Sequence, residues 1–148
     1  MGTKYMAKLQ LDIVSATGAV YSGQADEVIA PASEGEIAVL PSHAPLITTL
    51  RPGELRILNG QQETSLAISG GFLEIVNNKM TVLADQAEEA SAIDLAKADE
   101  ALRLARQRVA ELPKDQDLDK ALAELRSAHV RASIARRASD RRSPPRQR

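Results

Sequence analysis

The hydrophobic period of this 148-residue chain changes near Gln86, and the change divides it into two parts of different architecture. Up to Asp85, apolar and polar residues alternate. Leu9, Leu11 and Ile13 are interleaved with Lys8, Gln10 and Asp12, the period of a half-buried strand. Further runs of this kind lie at 20–24, 27–32, 36–40, 45–50, 54–58, 63–69, 71–76 and 79–84. Asn59-Gly60 and Asn77-Asn78 supply residues that tolerate the positive φ of hairpin turns. About nine to ten short strands at such spacing predict a sandwich or flattened barrel.

Beyond Gln86 the spacing becomes helical. The Ala-rich stretch 91–112 reads as one helix, with Ser91 as N-cap and Asp94 in the first turn. Leu95, Ala98, Leu102, Ala105, Val109 and Leu112 recur at three- and four-residue steps and form a candidate seam. Pro113 stops this helix, and a second starts near Asp117 with Leu118, Leu122, Leu125, His129 and Ala132 at the same steps. So short a connection predicts an antiparallel hairpin. Burying a Leu contributes about 1.5–3 kcal/mol and Ala much less, so a seam half made of Ala holds its helices weakly. The hairpin is therefore expected to have a compact and an extended state. The fold class is α+β, with a β-sandwich domain at 1–86, a helical hairpin at 87–140 and a basic disordered tail at 141–148.

The stretch 34–46 joins a turn at Gly35, a short apolar strand and a histidine bracketed by Pro41 and Pro45. Each proline sets φ and removes a hydrogen-bond donor, so a stiff loop should present Ser42 and His43 at the edge of a sheet. A rigid exposed loop suits docking. Catalysis would want a second ionisable partner close by in sequence, and none stands there.

Composition removes several function classes. There is no Cys, hence no disulfide, thiolate metal site or cysteine nucleophile, and two His are too few for a protein-built transition-metal centre. An apolar share of 43% with only 2% aromatics requires a core of Val, Ile, Leu and Ala. The formal net charge of −1 argues against a globally basic nucleic-acid binder. No run approaches the roughly 20 apolar residues of a membrane span, and the N-terminus lacks a secretory layout. No Gly-rich phosphate loop, nucleophile elbow or paired catalytic carboxylates occur. Ser69-Gly70-Gly71 precedes a strand rather than the helix a phosphate loop opens. Arg131, Arg136, Arg137, Arg141, Arg142, Arg146 and Arg148, opposed only by Asp140, make a cationic arm that Ser143-Pro144-Pro145 interrupts. Such an arm seeks an acidic surface, and it has no aromatic residue to stack on bases.

Three segments carry a family resemblance. Residues 35–46 are similar to G-E-L-G-I-L-P-G-H-A-P-L of the ε subunit of F-type ATP synthases, known as δ in mitochondria. Ser69-Gly70-Gly71-Phe72-Leu73-Glu74-Ile75 and Thr81-Val82-Leu83-Ala84-Asp85 follow in the family's order and spacing. Ala38 and Ser42 stand where the family usually has Gly, which should stiffen the loop.

The resemblance implies a non-catalytic rotor subunit of the central stalk, peripheral to the cell membrane on its cytoplasmic side and not itself inserted. Its sandwich would bind the γ subunit and rest on the c-ring, with Glu36, Ser42 and His43 as contact residues. Its hairpin would extend against the catalytic α and β subunits and inhibit ATP hydrolysis through Arg126, Arg131, Arg136 and Arg137. No metal and no nucleic acid are implied. Some members bind ATP through a motif close to I-D-x-x-R-A, which here reads Ile93-Asp94-Leu95-Ala96-Lys97-Ala98. Glu88, Asp94, Lys97 and Arg131 would form that site, weakly, because Lys lacks the bidentate fork of Arg. The alternative is a β-sandwich adaptor whose helical arm binds some other acidic complex.

Overall fold

Alternation of buried and exposed positions builds strands where the period is two. A computed structural model describes residues 7–142, and among these are ten strands. They are β1 Leu9–Ser15, β2 Gly18–Ala25, β3 Glu27–Ala32, β4 Gly35–Val39, β5 Leu46–Leu50, β6 Gly53–Asn59, β7 Gln62–Ile68, β8 Gly71–Val76, β9 Lys79–Ala84 and β10 Ala87–Glu89. The order in the sheet is β10-β7-β6-β3-β5-β8-β9-β1-β2, with β4 pairing β3.

The two layers arise at β3. Its first half pairs β6 through Glu27–Leu58, Val28–Ile57 and Ile29–Arg56, whereas its last residue, Ala32, pairs Leu50 of β5. One strand thus leaves one layer and enters the other, and the sheet folds over on itself as a sandwich. Between the layers lie Leu9, Leu11, Ile13, Val28, Ala30, Val39, Leu55, Ile57, Leu66, Ile68, Leu73, Ile75, Met80 and Val82. The core is aliphatic, as the composition required, with Met80 filling one place and the single Phe72 outside it.

Turn chemistry follows the residues. Asn77 and Asn78 have φ of 49° and 60° and join β8 to β9 with Val76 opposite Lys79, the geometry of a type I′ hairpin. In the β6–β7 hairpin the two-residue loop is Gly60-Gln61, one position later than Asn59-Gly60, because Asn59 pairs Gln62. The tenth strand, β10, is too short and too acidic to be read from period alone.

The chain divides between Glu88 and Glu89 into two compact units. The second contains a 3₁₀ turn at Ala90–Ala92 and the helices α1 Leu95–Ala110 and α2 Leu118–Arg142. Ser91 is not the N-cap of α1. Ile93 is extended, with φ −74° and ψ 125°, and Asp94 caps instead, its Oδ1 accepting from the Lys97 backbone N–H at 3.1 Å. Helix α1 ends at Ala110, three residues before Pro113. Asp117 caps α2, accepting from the Lys120 N–H at 3.1 Å. Helix α2 continues through Arg142, and Ser143, Pro144, Pro145, Arg146 and Arg148 lie outside the described residues.

The helices are antiparallel. Arg108 meets Glu124 at 2.8 Å near the connection and Asp99 meets Arg136 at 2.7 Å near the open end. On α1, Ala98 and Leu102 of the expected seam are buried. On α2, Leu125 and Ala132 of the expected seam are retained and part of the rest is displaced. Ala121, Ala132 and Ala135 are buried, with Leu125 and Ala128 between them half-buried, while Leu118 and His129 face solvent. Small Ala side chains permit closer helix approach than the Leu-centred stripe would, so packing selects that face.

Candidate docking surfaces

The structure separates the three sandwich residues expected to make contact. Glu36 is the second residue of β4, is exposed, and accepts a hydrogen bond from Arg56 Nη2 at 3.0 Å. Ser42 and His43 lie beyond the other end of that strand. At about 3.3 Å per residue, some 10 Å of strand separates Glu36 from Val39 alone. Glu36 shares its end of the sandwich with Arg51, whose Nη1 donates to the Ser33 carbonyl at 3.2 Å.

The loop between β4 and β5 is a built turn. The His43 backbone N–H donates to the Leu40 carbonyl at 3.2 Å, with Pro41 and Ser42 as central residues and Ser42 at φ 65°. Pro followed by a positive-φ residue is the pattern of a type II turn, whose third position normally takes Gly. Ser42 occupies it as a residue with a Cβ. Its N–H donates to Asn78 Oδ1 at 2.8 Å, and the His43 ring is oriented by Nδ1, which donates to the Ala44 carbonyl at 2.6 Å.

A second surface on the sandwich was not anticipated from the residues. Ile47 on β5, Phe72 on β8 and Leu83 on β9 are 72%, 57% and 54% exposed, and Val14 on β1 is exposed beside them. Phe72 stands opposite both Thr49 and Leu83, and Leu83 stands opposite Val14. The four apolar side chains thus run across four neighbouring strands on one outward face. A cleft of about 260 Å³ there is lined by Ile47, Phe72, Leu73, Glu74, Thr81 and Leu83. The sequence held a signal for it: Ile13-Val14, Leu46-Ile47, Phe72-Leu73 and Val82-Leu83 are apolar doublets, and a strand that puts one member inside must put the other out.

On the polar edge of that face, Asp12 accepts from Ser22 Oγ at 2.7 Å and lies 3.3 Å from Lys79 Nζ. Those partners, the Ser22 hydroxyl first, hold its carboxyl below the ordinary value. Asp26, paired with Lys8 and accepting from the Gly60 N–H at 2.6 Å, is lowered in the same way, chiefly by Lys8.

The four expected inhibitory arginines all lie on α2 but form no single stripe. At about 100° per residue, Arg126 and Arg137 fall within roughly 20° of each other, while Arg131 is about 140° from Arg126. Arg126, Arg136 and Arg137 are exposed and Arg131 is half-buried. Arg136 is held by Asp99. Of the expected nucleotide-binding residues, Glu88 closes the sandwich unit while Asp94, Lys97 and Arg131 belong to the helical unit. The Asp94 carboxylate is engaged as the α1 cap. Ser69-Gly70-Gly71 leads directly into β8, with no helix N-terminus to cradle a phosphate. Among the described residues, no three His, Cys, Asp or Glu side chains gather as metal ligands, and no helix is long and apolar enough to cross a membrane.

Known proteins share this arrangement. The β-sandwich domain model of the ATP synthase delta/epsilon chain matches residues 8–90. The ATP synthase epsilon chain of Dehalococcoides mccartyi is 47% identical over 131 residues, 88% of either chain. That of Halorhodospira halophila is 49% identical over 125 residues, 83% of this chain and 89% of the relative. Among solved structures, a chain of the Euglena gracilis mitochondrial ATP synthase, determined by cryo-EM as OSCP/F1/c-ring, superposes with a TM-score of 0.74. Its identity is 20%, over 94% of this chain and 86% of that one. A chain of the Tetrahymena thermophila mitochondrial ATP synthase central stalk and c-ring gives 0.52 at 16% identity, over 93% and 98%. At such identities the superpositions speak for the fold, and the family is carried by the sequence matches. With its sandwich matched throughout and its relatives close to half identical over most of their length, the chain belongs to the ATP synthase delta/epsilon family.

Proposed function

We propose that this chain is a rotor subunit of the central stalk, coupling c-ring rotation to ATP synthesis and restraining ATP hydrolysis through its hairpin. The observation that carries the reading is the outward apolar row Ile47, Phe72, Leu83 and Val14, which runs across four neighbouring strands of the sandwich. An apolar face of this kind marks a protein–protein contact. The γ subunit is its assigned partner, with the Ser42-His43 loop at the margin of the contact. Glu36, at the other end of the strand, is assigned to the polar loops of the c-ring. In this assembly the chain sits on the cytoplasmic side of the cell membrane without entering it.

The hairpin is suited to a second position. Its buried α2 side chains are largely Ala, and the interhelical ion pairs Arg108–Glu124 and Asp99–Arg136 are exposed, a class worth about 0–1 kcal/mol each. Opening it releases Arg136 from Asp99 and, with Arg126, Arg131 and Arg137, presents a basic helix to the catalytic α and β subunits. Because these arginines point around the helix, the contact is read as a basic helix enclosed by acidic walls. Nucleotide binding is assigned as weak at most, since Asp94 already caps α1 and Lys97 offers a point charge. Calorimetry with millimolar ATP that gave no heat would remove it.

The test is reconstitution of the synthase complex, stripped of its own ε chain, with the full chain or with one ending after Pro113. Both should restore assembly, and the shortened chain should allow faster ATP hydrolysis. Equal hydrolysis rates with assembly intact would end the inhibitory assignment. Failure of either chain to associate would favour the adaptor reading instead.

A further inference from the structure

Asn78 makes three bonds to two separate segments. Its side-chain Oδ1 accepts from the Ser42 N–H at 2.8 Å, its Nδ2 donates to the Lys8 carbonyl at 2.8 Å, and its backbone carbonyl accepts from the Gln10 N–H at 3.1 Å. The turn that places it is the I′ pair Asn77-Asn78, whose left-handed backbone directs this side chain across the end of the sandwich. On the far side stands Ser42, itself left-handed at φ 65° in the position where a type II turn takes glycine. A residue with a Cβ pays conformational strain there, and such strain persists only where surrounding structure over-determines it. The bond from Asn78 supplies that determination.

We propose that Asn78 is a positioning residue for docking: by clamping the left-handed Ser42 backbone to the start of β1, it holds the Pro41–Pro45 loop, and with it His43, in the shape that the γ subunit meets. The proposal rests on the assignment of that loop to the γ contact. Without the clamp, Ser42 relaxes toward negative φ, the Leu40–His43 turn opens, and the His43 ring loses its place before the partner arrives. Docking must then restore the turn at the expense of affinity.

Asn78→Gly isolates the clamp from the hairpin, because Asn-Gly is the preferred I′ pair and keeps the β8–β9 turn while deleting the side chain. Hydrogen exchange on the full chain reads the loop directly, and the Ser42 and His43 amides should exchange faster in the variant. Titration into the synthase complex stripped of its ε chain should show affinity reduced by about fivefold to tenfold, the lower end of left-handed strain converted to a binding ratio. Ser42→Gly in the same chain should recover most of that loss, because glycine holds the Pro-Gly turn unaided. Unchanged exchange at Ser42 and His43, or an equal loss of affinity with Ser42 and with Gly at position 42, overturns the clamp. A third arm keeps the two readings apart: His43→Ala docking as tightly as the parent chain would overturn the loop's assignment to γ, while the exchange data still judge Asn78.

Discussion

Replacing the outward apolar row should abolish docking while leaving the sandwich folded. The perturbation is Ile47→Thr, Phe72→Thr and Leu83→Thr together; threonine keeps the strand preference of a β-branched side chain and removes the apolar surface. These residues are 72%, 57% and 54% exposed, so the isolated chain loses little by the change. Docking, in contrast, covers what is now exposed. Complete burial of an Ile, Leu or Phe contributes about 1.5–3 kcal/mol, and scaling by these exposures gives about 3–5 kcal/mol for the three. That corresponds to a loss of between two and four powers of ten in affinity. The assay is calorimetric titration of parent and variant chains into the stripped synthase complex, with urea unfolding of each chain in parallel. The unfolding midpoints should agree closely. Equal affinity in the two chains at equal stability would refute the reasoning, because it would mean that this face stays wet in the complex. Large losses of stability would refute it differently, by showing that the row supports the fold.

Three other outcomes are expected of the sandwich. Gly71→Ala should destabilise it by about 3–5 kcal/mol, combining left-handed strain with overpacking, because φ is 133° and a Cβ would stand 2.1 Å from the Leu83 carbonyl oxygen. Urea unfolding measures it, and a loss under about 1 kcal/mol would contradict the steric account. Gly70→Ala should cost less, since the atom a Cβ would meet at 3.0 Å is the Asp85 carboxylate, a movable side chain. Acid should weaken the sandwich through Asp12 and Asp26. Both carboxyls are held below their ordinary value of 3.8 when folded, by Ser22 and by Lys8 respectively as the leading causes. Their contribution is present above about pH 4–5 and lost as pH falls through the depressed folded values. The double variant Asp12→Asn, Asp26→Asn should therefore show a shallower fall of the urea midpoint below pH 4, and an unaltered slope would exclude these two groups as the cause.

Legibility in the sequence differed between scaffold and surface. Leu40-Pro41-Ser42-His43 was readable as a stiff turn because prolines and turn residues act within four positions of themselves. What secures it was not: Asn78 lies 36 residues from Ser42 and 70 from Lys8, and no local pattern announces a bond across such spans. The helical unit shows the same boundary. Period located two helices and the buried Ala132 on the second, yet Asp94 rather than Ser91 caps the first, and Ala121, Ile134 and Ala135 are buried on α2 outside the expected seam. Capping depends on which residue leaves helical φ and ψ, and seam choice on how closely two helices can approach.

The sequence by itself determined that period two gives way to helical spacing near Gln86, that an aliphatic core must serve without aromatics, and that motifs at 35–46, 69–75 and 81–85 tie the chain to its family. Local covalent preferences and periodicity suffice for all of that. Tertiary structure alone decided that Phe72 faces outward, that it stands between Thr49 and Leu83, and that Glu36 and His43 lie at opposite ends of one strand. Alternation says that neighbouring residues take opposite faces; only the pairing of strands far apart in sequence says which face is covered, and therefore which is left for a partner.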